Sequence, residues 1–214
     1  MIRAPHRLAL AAAAALSLLA AAPAAAQSGG KRTPSEKVAA VRDPSTALLG
    51  RWELAGALGF AIPFENQLGT GFKLAATGLH GQASLASGTV LQLGGTLAWT
   101  YNGYGSGVDG SLDTVDLLPL ARVRFTLNPQ LFAFADGGIG LAIVHGSVSI
   151  PNQAPAPPTR STSTDAALLV KLGGGLGFEL QPSLAITLEP AFHFYAKSGS
   201  ITQFTLLAGA VYRP

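Results

Sequence analysis

Eight ionisable side chains interrupt stretches that are otherwise apolar or small: Glu53, Lys73, Arg122, Arg124, Asp136, Lys171, Glu179 and Glu189. Both signs occur in near balance, so the chemistry on offer is ion pairing. Out of water each such group must find a partner, because breaking a buried pair costs about 3–5 kcal/mol. Three other sets could carry chemistry. Glu189 and His193 are four residues apart on one strand face, as an acid–base pair would be, although a hydrogen bond inside the fold is the simpler role. Asp109, Asp113 and Asp116 lie beside Gly107 and Gly110 and could bridge a cation, against the simpler reading of a solvated acidic loop. Gly173-Gly174-Gly175-Leu176-Gly177 has the glycine density of a phosphate loop. A dinucleotide fingerprint needs a helix after it, whereas this run has strand period and stops at Gln181-Pro182. Cysteine is absent, and His80, His145 and His193 show no metal-ligand spacing. No metal, cofactor or catalytic site is expected, and no motif places a serine nucleophile.

The elements that must position the eight charges have period two from Arg51 onward. Eight strand segments follow: 51–62, 70–85, 89–102, 115–127, 131–144, 166–180, 184–195 and 200–212. In the seventh, Leu184, Ile186, Leu188, Phe192 and Phe194 oppose Ala185, Thr187, Glu189 and His193. In the sixth, Leu168, Val170, Leu172, Leu176 and Phe178 oppose Lys171, Gly173, Gly175, Gly177 and Glu179. Two segments fit poorly. The second loses phase near Gly78 to Gly81. In the fifth, Phe132 and Phe134 are in step with Asp136, which predicts a β-bulge near Gly137-Gly138.

The connections alternate in length. Ala86-Ser87-Gly88, Asn128-Pro129-Gln130 and Gln181-Pro182-Ser183 are tight turns. Between them lie the links 63–69, 103–114, 145–165 and 196–199. The third contains PNQAPAPPTRSTST, too rich in Pro, Ser and Thr to pack a core. Short turns at one end and long loops at the other is the layout of a membrane barrel. Aromatic residues fall where such a barrel carries its girdles. Trp52, Phe125, Phe178 and Tyr212 are at strand ends nearer the tight turns. Phe60, Phe72, Trp99, Tyr101, Phe192, Phe194 and Phe204 are nearer the other end.

Composition agrees. The chain is 48% hydrophobic and 12% charged, with mean hydropathy +0.36, against about 25% charged residues in an ordinary soluble domain. Residues 1–26, with Arg3, Arg7, an apolar core and Ala24-Ala25-Ala26, read as a cleaved export signal. Residues 27–50 read as a polar periplasmic extension, with SEKVAAVR (35–42) able to form two helical turns, and 51–214 as the barrel. The formal charge of +3 falls to +1 without Arg3 and Arg7, and no basic cluster offers a nucleic acid a site. After residue 26 no apolar run reaches the ~18 residues of a spanning helix, so a membrane-embedded chain must cross with strands. A soluble carrier with an apolar cavity would wear long Lys and Glu side chains on its polar face. Here that face is mostly Gly, Ala, Thr and Gln, which suits a narrow eight-stranded interior filled by side chains.

With these features the chain resembles the small outer-membrane β-barrel proteins of the OmpA, OmpX and OmpW kind. The resemblance covers residues 51–214 and rests on architecture, on Gly-rich strands such as FADGGIGLAIV and KLGGGLGFEL, and on the last strand FTLLAGAVYRP. It departs from the group at its end, where Arg213 and Pro214 follow the aromatic Tyr212. The resemblance implies an all-β, eight-stranded, antiparallel up-and-down transmembrane barrel that is monomeric and not an enzyme. It also implies contact with outer-membrane lipid and lipopolysaccharide, and with periplasmic chaperones and the barrel-assembly machinery. The expected role is to span the outer membrane and display loops. The rival roles are a narrow channel for small or apolar solutes, a lipid-modifying enzyme using Glu189 and His193, and a soluble periplasmic carrier.

Overall fold

An alternating chain presents two unlike faces when extended, and closing the sheet on itself separates them while leaving no edge along the wall. The computed structural model describes residues 48–65, 67–104, 109–150, 159–196 and 200–214. They form β1 (Trp52–Pro63), β2 (Gly71–Ala86), β3 (Thr89–Gly103), β4 (Asp109–Thr126), β5 (Leu131–Ile150), β6 (Thr159–Gln181), β7 (Leu184–Ala196) and β8 (Ile201–Tyr212). Each strand pairs antiparallel with the next. β8 closes the ring on β1, from Leu54↔Tyr212 to Pro63↔Gln203.

Three tight turns mark one end, called here the turn end. Gly88 sits at φ +75°, a conformation glycine adopts without strain. The Asn128 side-chain oxygen accepts from the backbone N–H of Gln130 at 2.9 Å and of Leu131 at 2.8 Å. Pro182-Ser183 makes the third turn. The opposite, hairpin end differs from the sequence pattern. β4 begins at Asp109, β5 runs to Ile150 and β6 begins at Thr159, so much of 103–114 and of 145–165 is strand. Apolar alternation stops short of these tips, but Ser and Thr keep the backbone extended and the β5–β6 ladder unbroken from Leu131↔Phe178 to Ile150↔Thr159.

The bulge expected at Gly137-Gly138 is absent: β5 pairs with β6 straight through it. In β2 the phase holds through Gly78–Gly81, with Leu79 buried inside. The register shifts lie beyond it, between Gly81 and Ala83 and between Ser84 and Ala86. The boundary at residue 50 also moves. Leu48 is buried, Leu49 bridges Gly81, and the Gly50 N–H donates to the Gly81 carbonyl at 3.0 Å. The expected leader, the SEKVAAVR helix and positions 151–158 of the Pro-rich tract lie outside the described residues.

The two faces are sharply unlike. Leu58, Leu93, Leu97, Leu117, Ile139, Leu141, Leu172 and Leu188 are all exposed on the outside, Leu117 at 64%. Soluble monomers rarely expose apolar patches beyond a few hundred Å², so this belt needs hydrocarbon as its solvent. The inside holds the charges, together with Leu79, Leu118, Leu120, Leu169 and Tyr195.

Candidate functional site

Alternation decides which side chains enter the lumen, and all eight charges singled out in the sequence enter it. They meet in three tiers. At the turn end Glu53 accepts from Arg124 at 2.7 Å and from Arg213 at 2.5 Å. Glu179 pairs with Arg213 at 2.5 Å and also with Arg124, and Gln92 donates to Glu53. In the middle Arg122 pairs with Asp136 at 2.5 Å and Glu189 at 2.9 Å, while Lys171 pairs with Glu189 at 2.5 Å and Asp136 at 3.2 Å. Toward the hairpin end Lys73 pairs with Asp116 at 2.7 Å, and the Tyr195 hydroxyl donates to Asp116 at 3.1 Å. Beyond them Gln203 donates to Asn102 at 2.9 Å.

Among the described residues, the lumenal network thus joins five cations (Lys73, Arg122, Arg124, Lys171, Arg213) to five anions (Glu53, Asp116, Asp136, Glu179, Glu189). Balance of this kind offers no net charge to attract an ion. A central cavity of about 20 Å³ lies between the tiers, which is room for about one water.

The lumen also explains the two phenylalanines that broke the expected pattern. Phe132 and Phe134 point inward, 3% and 4% exposed. The Arg124 guanidinium lies 3.6 Å over the Phe132 ring and that of Arg122 lies 3.9 Å over the Phe134 ring. Their other neighbours are glycines: a Cβ on Gly177 would fall 2.0 Å from Phe132, and one on Gly175 2.6 Å from Phe134. The glycine-rich stretch of β6 is therefore a bed for two aromatic rings on a strand, not a phosphate loop.

Several functional readings change. Asp116 faces the lumen with Lys73, while Asp109 and Asp113 lie on the other face of β4, so the three aspartates do not converge. Among the described residues no group of acidic and histidine side chains could hold a metal. Glu189 is engaged by Arg122 and Lys171. His193 is buried with its Nδ1 3.4 Å from the Lys73 amine. The two share the lumen without pairing, and neither reaches the lipid-facing surface. Asp116, read from the sequence as a possible cation ligand, belongs to this network instead, and Gln92, Asn102, Gln203 and Arg213 join it from outside the eight charges. Parity could have found two of them: Asp116 is in step with Arg122 and Arg124, and Arg213 with Gln203 and Thr205. Arg213, the departure at the chain's end, is a lumenal residue.

The aromatics singled out for the two girdles face outward. At the turn end Trp52, Phe125, Phe178 and Tyr212 are exposed, and Trp52 meets His80 edge-on at 5.0 Å. At the hairpin end Phe60 pairs across to Phe72, and Phe72 to Tyr101. Trp99 lies 6.4 Å from Tyr101, and Phe192 lies 5.4 Å from Phe204. Phe194 is exposed beside them.

A closed antiparallel ring of eight strands, charged within and apolar without, defines a transmembrane β-barrel. Among solved structures, the fold is similar to that of small outer-membrane β-barrels. The outer membrane enzyme PagL matches at 15% identity over 73% of this chain and 97% of its own, with TM-score 0.50. Ail, the attachment invasion locus protein of Yersinia pestis, matches at 17% identity over 78% of this chain and 99% of its own, with TM-score 0.48. Neisserial surface protein A matches at 12% identity over 76% and 96%, also with TM-score 0.48. No protein-family model and no curated protein matches the chain.

Proposed function

We propose that the chain is exported by a leader at residues 1–26, cleaved before Gln27, and inserts into the outer membrane as a monomeric, non-conducting and non-enzymatic barrel. Its role is to anchor and display the elements at the hairpin end. The observation that carries this reading is the balanced ion-pair network filling a barrel whose outside is apolar. Five cations and five anions in mutual contact, with room for about one water between tiers, support a lumen closed to solutes, and the pairing of Glu189 with Arg122 and Lys171 supports a structural role for the residue that the enzyme reading would use. Outer-membrane lipid and lipopolysaccharide solvate the belt. Periplasmic chaperones and the barrel-assembly machinery deliver the chain. No nucleic acid is a partner.

Planar bilayers containing the refolded mature chain test the reading. The expected result is baseline current, and stepwise conductance would replace it with the channel reading. Detergent-resistant gel mobility that changes on boiling is expected of the membrane-extracted protein. Release of the mature protein by alkali without detergent would place it outside the bilayer.

A further inference from the structure

A cavity of about 420 Å³ opens at the turn end, between the second and third tight turns and the chain leading into β1. Its size is that of a small-molecule site, for which about 300–1,000 Å³ is usual. Leu48, Pro129, Leu131, Phe132 and Pro182 make much of its wall apolar. Among the described residues its charged lining is Arg51, Arg124, Glu179 and Arg213.

The turn-end tier is neutral by itself, because Arg124 and Arg213 share Glu53 and Glu179. Arg51 adds another guanidinium to the same wall, exposed and without an ion pair among the described residues. The cavity therefore carries one positive charge in excess. The two buried guanidiniums also have donors to spare: Arg124 Nε and Arg213 Nη2 meet no acceptor among the described residues. Buried donors are nearly always paired, so each exception calls for a partner. A carboxylate matches a guanidinium fork and brings a single charge. A phosphate monoester would bring nearly two, and Glu179 in the wall would oppose the second.

We infer that the turn-end cavity binds a monocarboxylate attached to a small apolar group, its charge held by Arg51, Arg124 and Arg213 and its apolar part against Leu48, Leu131 and Phe132. Such a group ends a polypeptide or stands alone as a small organic acid, and the chemistry recognised is the same. That the cavity faces the periplasm rests on the proposed function. The site itself follows from its lining.

The test uses the refolded mature chain in micelles with isotope-labelled arginine. The probes are phenylpropanoate, for a free acid, acetyl-alanyl-phenylalanine, for a chain end, and the neutral amide of each. An acid is expected to move the Nε–Hε resonances of the three arginines, and the tighter of the two identifies the source. Each amide should bind about tenfold more weakly, as loss of a charge-assisted hydrogen bond requires. Arg51→Gln should weaken the acid about fivefold, the scale of one exposed charge pair. Its heat-modifiable mobility should stay unchanged, since Arg51 lies outside the ion-pair network. Equal binding of acid and amide, binding indifferent to Arg51→Gln, or no binding of either acid overturns the proposal. Sidedness has its own measurement. The chain has no cysteine, so Ser87→Cys places a single exposed thiol in the first tight turn. An impermeant maleimide should leave it unlabelled on intact cells, and labelling there would keep the site but refute the periplasmic location.

Discussion

The Arg124 guanidinium lies 3.6 Å above the ring of Phe132, and that ring sits where a Cβ on Gly177 would be, 2.0 Å from its ζ carbon. Glycine, aromatic ring and cation form one stack across the lumen from β6 through β5 to β4. The ring fixes the height of the guanidinium, and the guanidinium then reaches Glu53 on β1 at 2.7 Å. Absence of a side chain on one strand thus helps position a charge that ties down the strand where the barrel closes.

Gly177→Ala should lower stability by about 1–3 kcal/mol, the usual effect of overpacking a filled interior. Phe132→Ala should cost about 3–5 kcal/mol by leaving a cavity. Urea unfolding in phospholipid vesicles, followed by tryptophan fluorescence, measures both. If the stack is one unit, the double variant Phe132→Ala/Gly177→Ala should cost less than the sum of the two, because the added methyl has no ring to meet.

Glu53 holds Arg124 and Arg213 together, so Glu53→Gln leaves two buried guanidiniums with Glu179 as their remaining carboxylate. Loss of about 3–5 kcal/mol is expected, since removing one partner strands the others. Arg213→Gln should restore part of it, because it removes the excess cation. A coupling energy near zero in that double-mutant cycle would mean that Arg213 stays outside the network.

Much of this was legible in the sequence because a barrel wall is a period-two object. Wherever Leu or Phe alternated with Gly, Thr or a charge, as in β6 and β7, the facing of each residue could be read directly. Three features resisted. Phe132 and Phe134 looked like lipid-facing residues out of step, since nothing in one strand reveals that the strand opposite supplies glycines for their rings. Asp116 was grouped with Asp109 and Asp113 at the edge of a loop, because apolar alternation fades toward the hairpin end while the ladder persists. Arg213 stood out only as a departure from the aromatic ending of the group, although its parity with Gln203 and Thr205 put it on the lumenal face. Partners such as Lys73 with Asp116, 43 residues apart, depend on register around the ring, which no local pattern states.

Lys73 and Asp116 offer a cleaner separation of charge from packing, since both are almost fully buried and Tyr195 completes the site. Lys73→Met alone should cost about 3–5 kcal/mol by leaving a buried carboxylate without its cation, whereas Lys73→Met with Asp116→Leu should recover most of the loss. Unfolding midpoints of the four proteins in the cycle decide it. A double variant no better than the single would mean that the pair stabilises the fold beyond an apolar replacement.

The face that meets lipid sets the cost of a charge on the wall. Leu172 points outward, 58% exposed, between neighbours of opposite facing: Lys171 is buried in the network, and Gly173 lies under the side chains of Ala191 and Asp136. Leu172→Arg should therefore cost about 2–4 kcal/mol in a bilayer if the site lies near the midplane, and less toward either interface. Arginine at Thr162, exposed and in step with Leu172 on β6 but beyond the apolar belt, should cost almost nothing. Equilibrium folding into vesicles measures the pair side by side. Equal costs would mean that the belt does not face hydrocarbon, because a water-washed surface accepts an arginine at either position. The contrast between the two sites ties the barrel's sidedness to a free-energy difference.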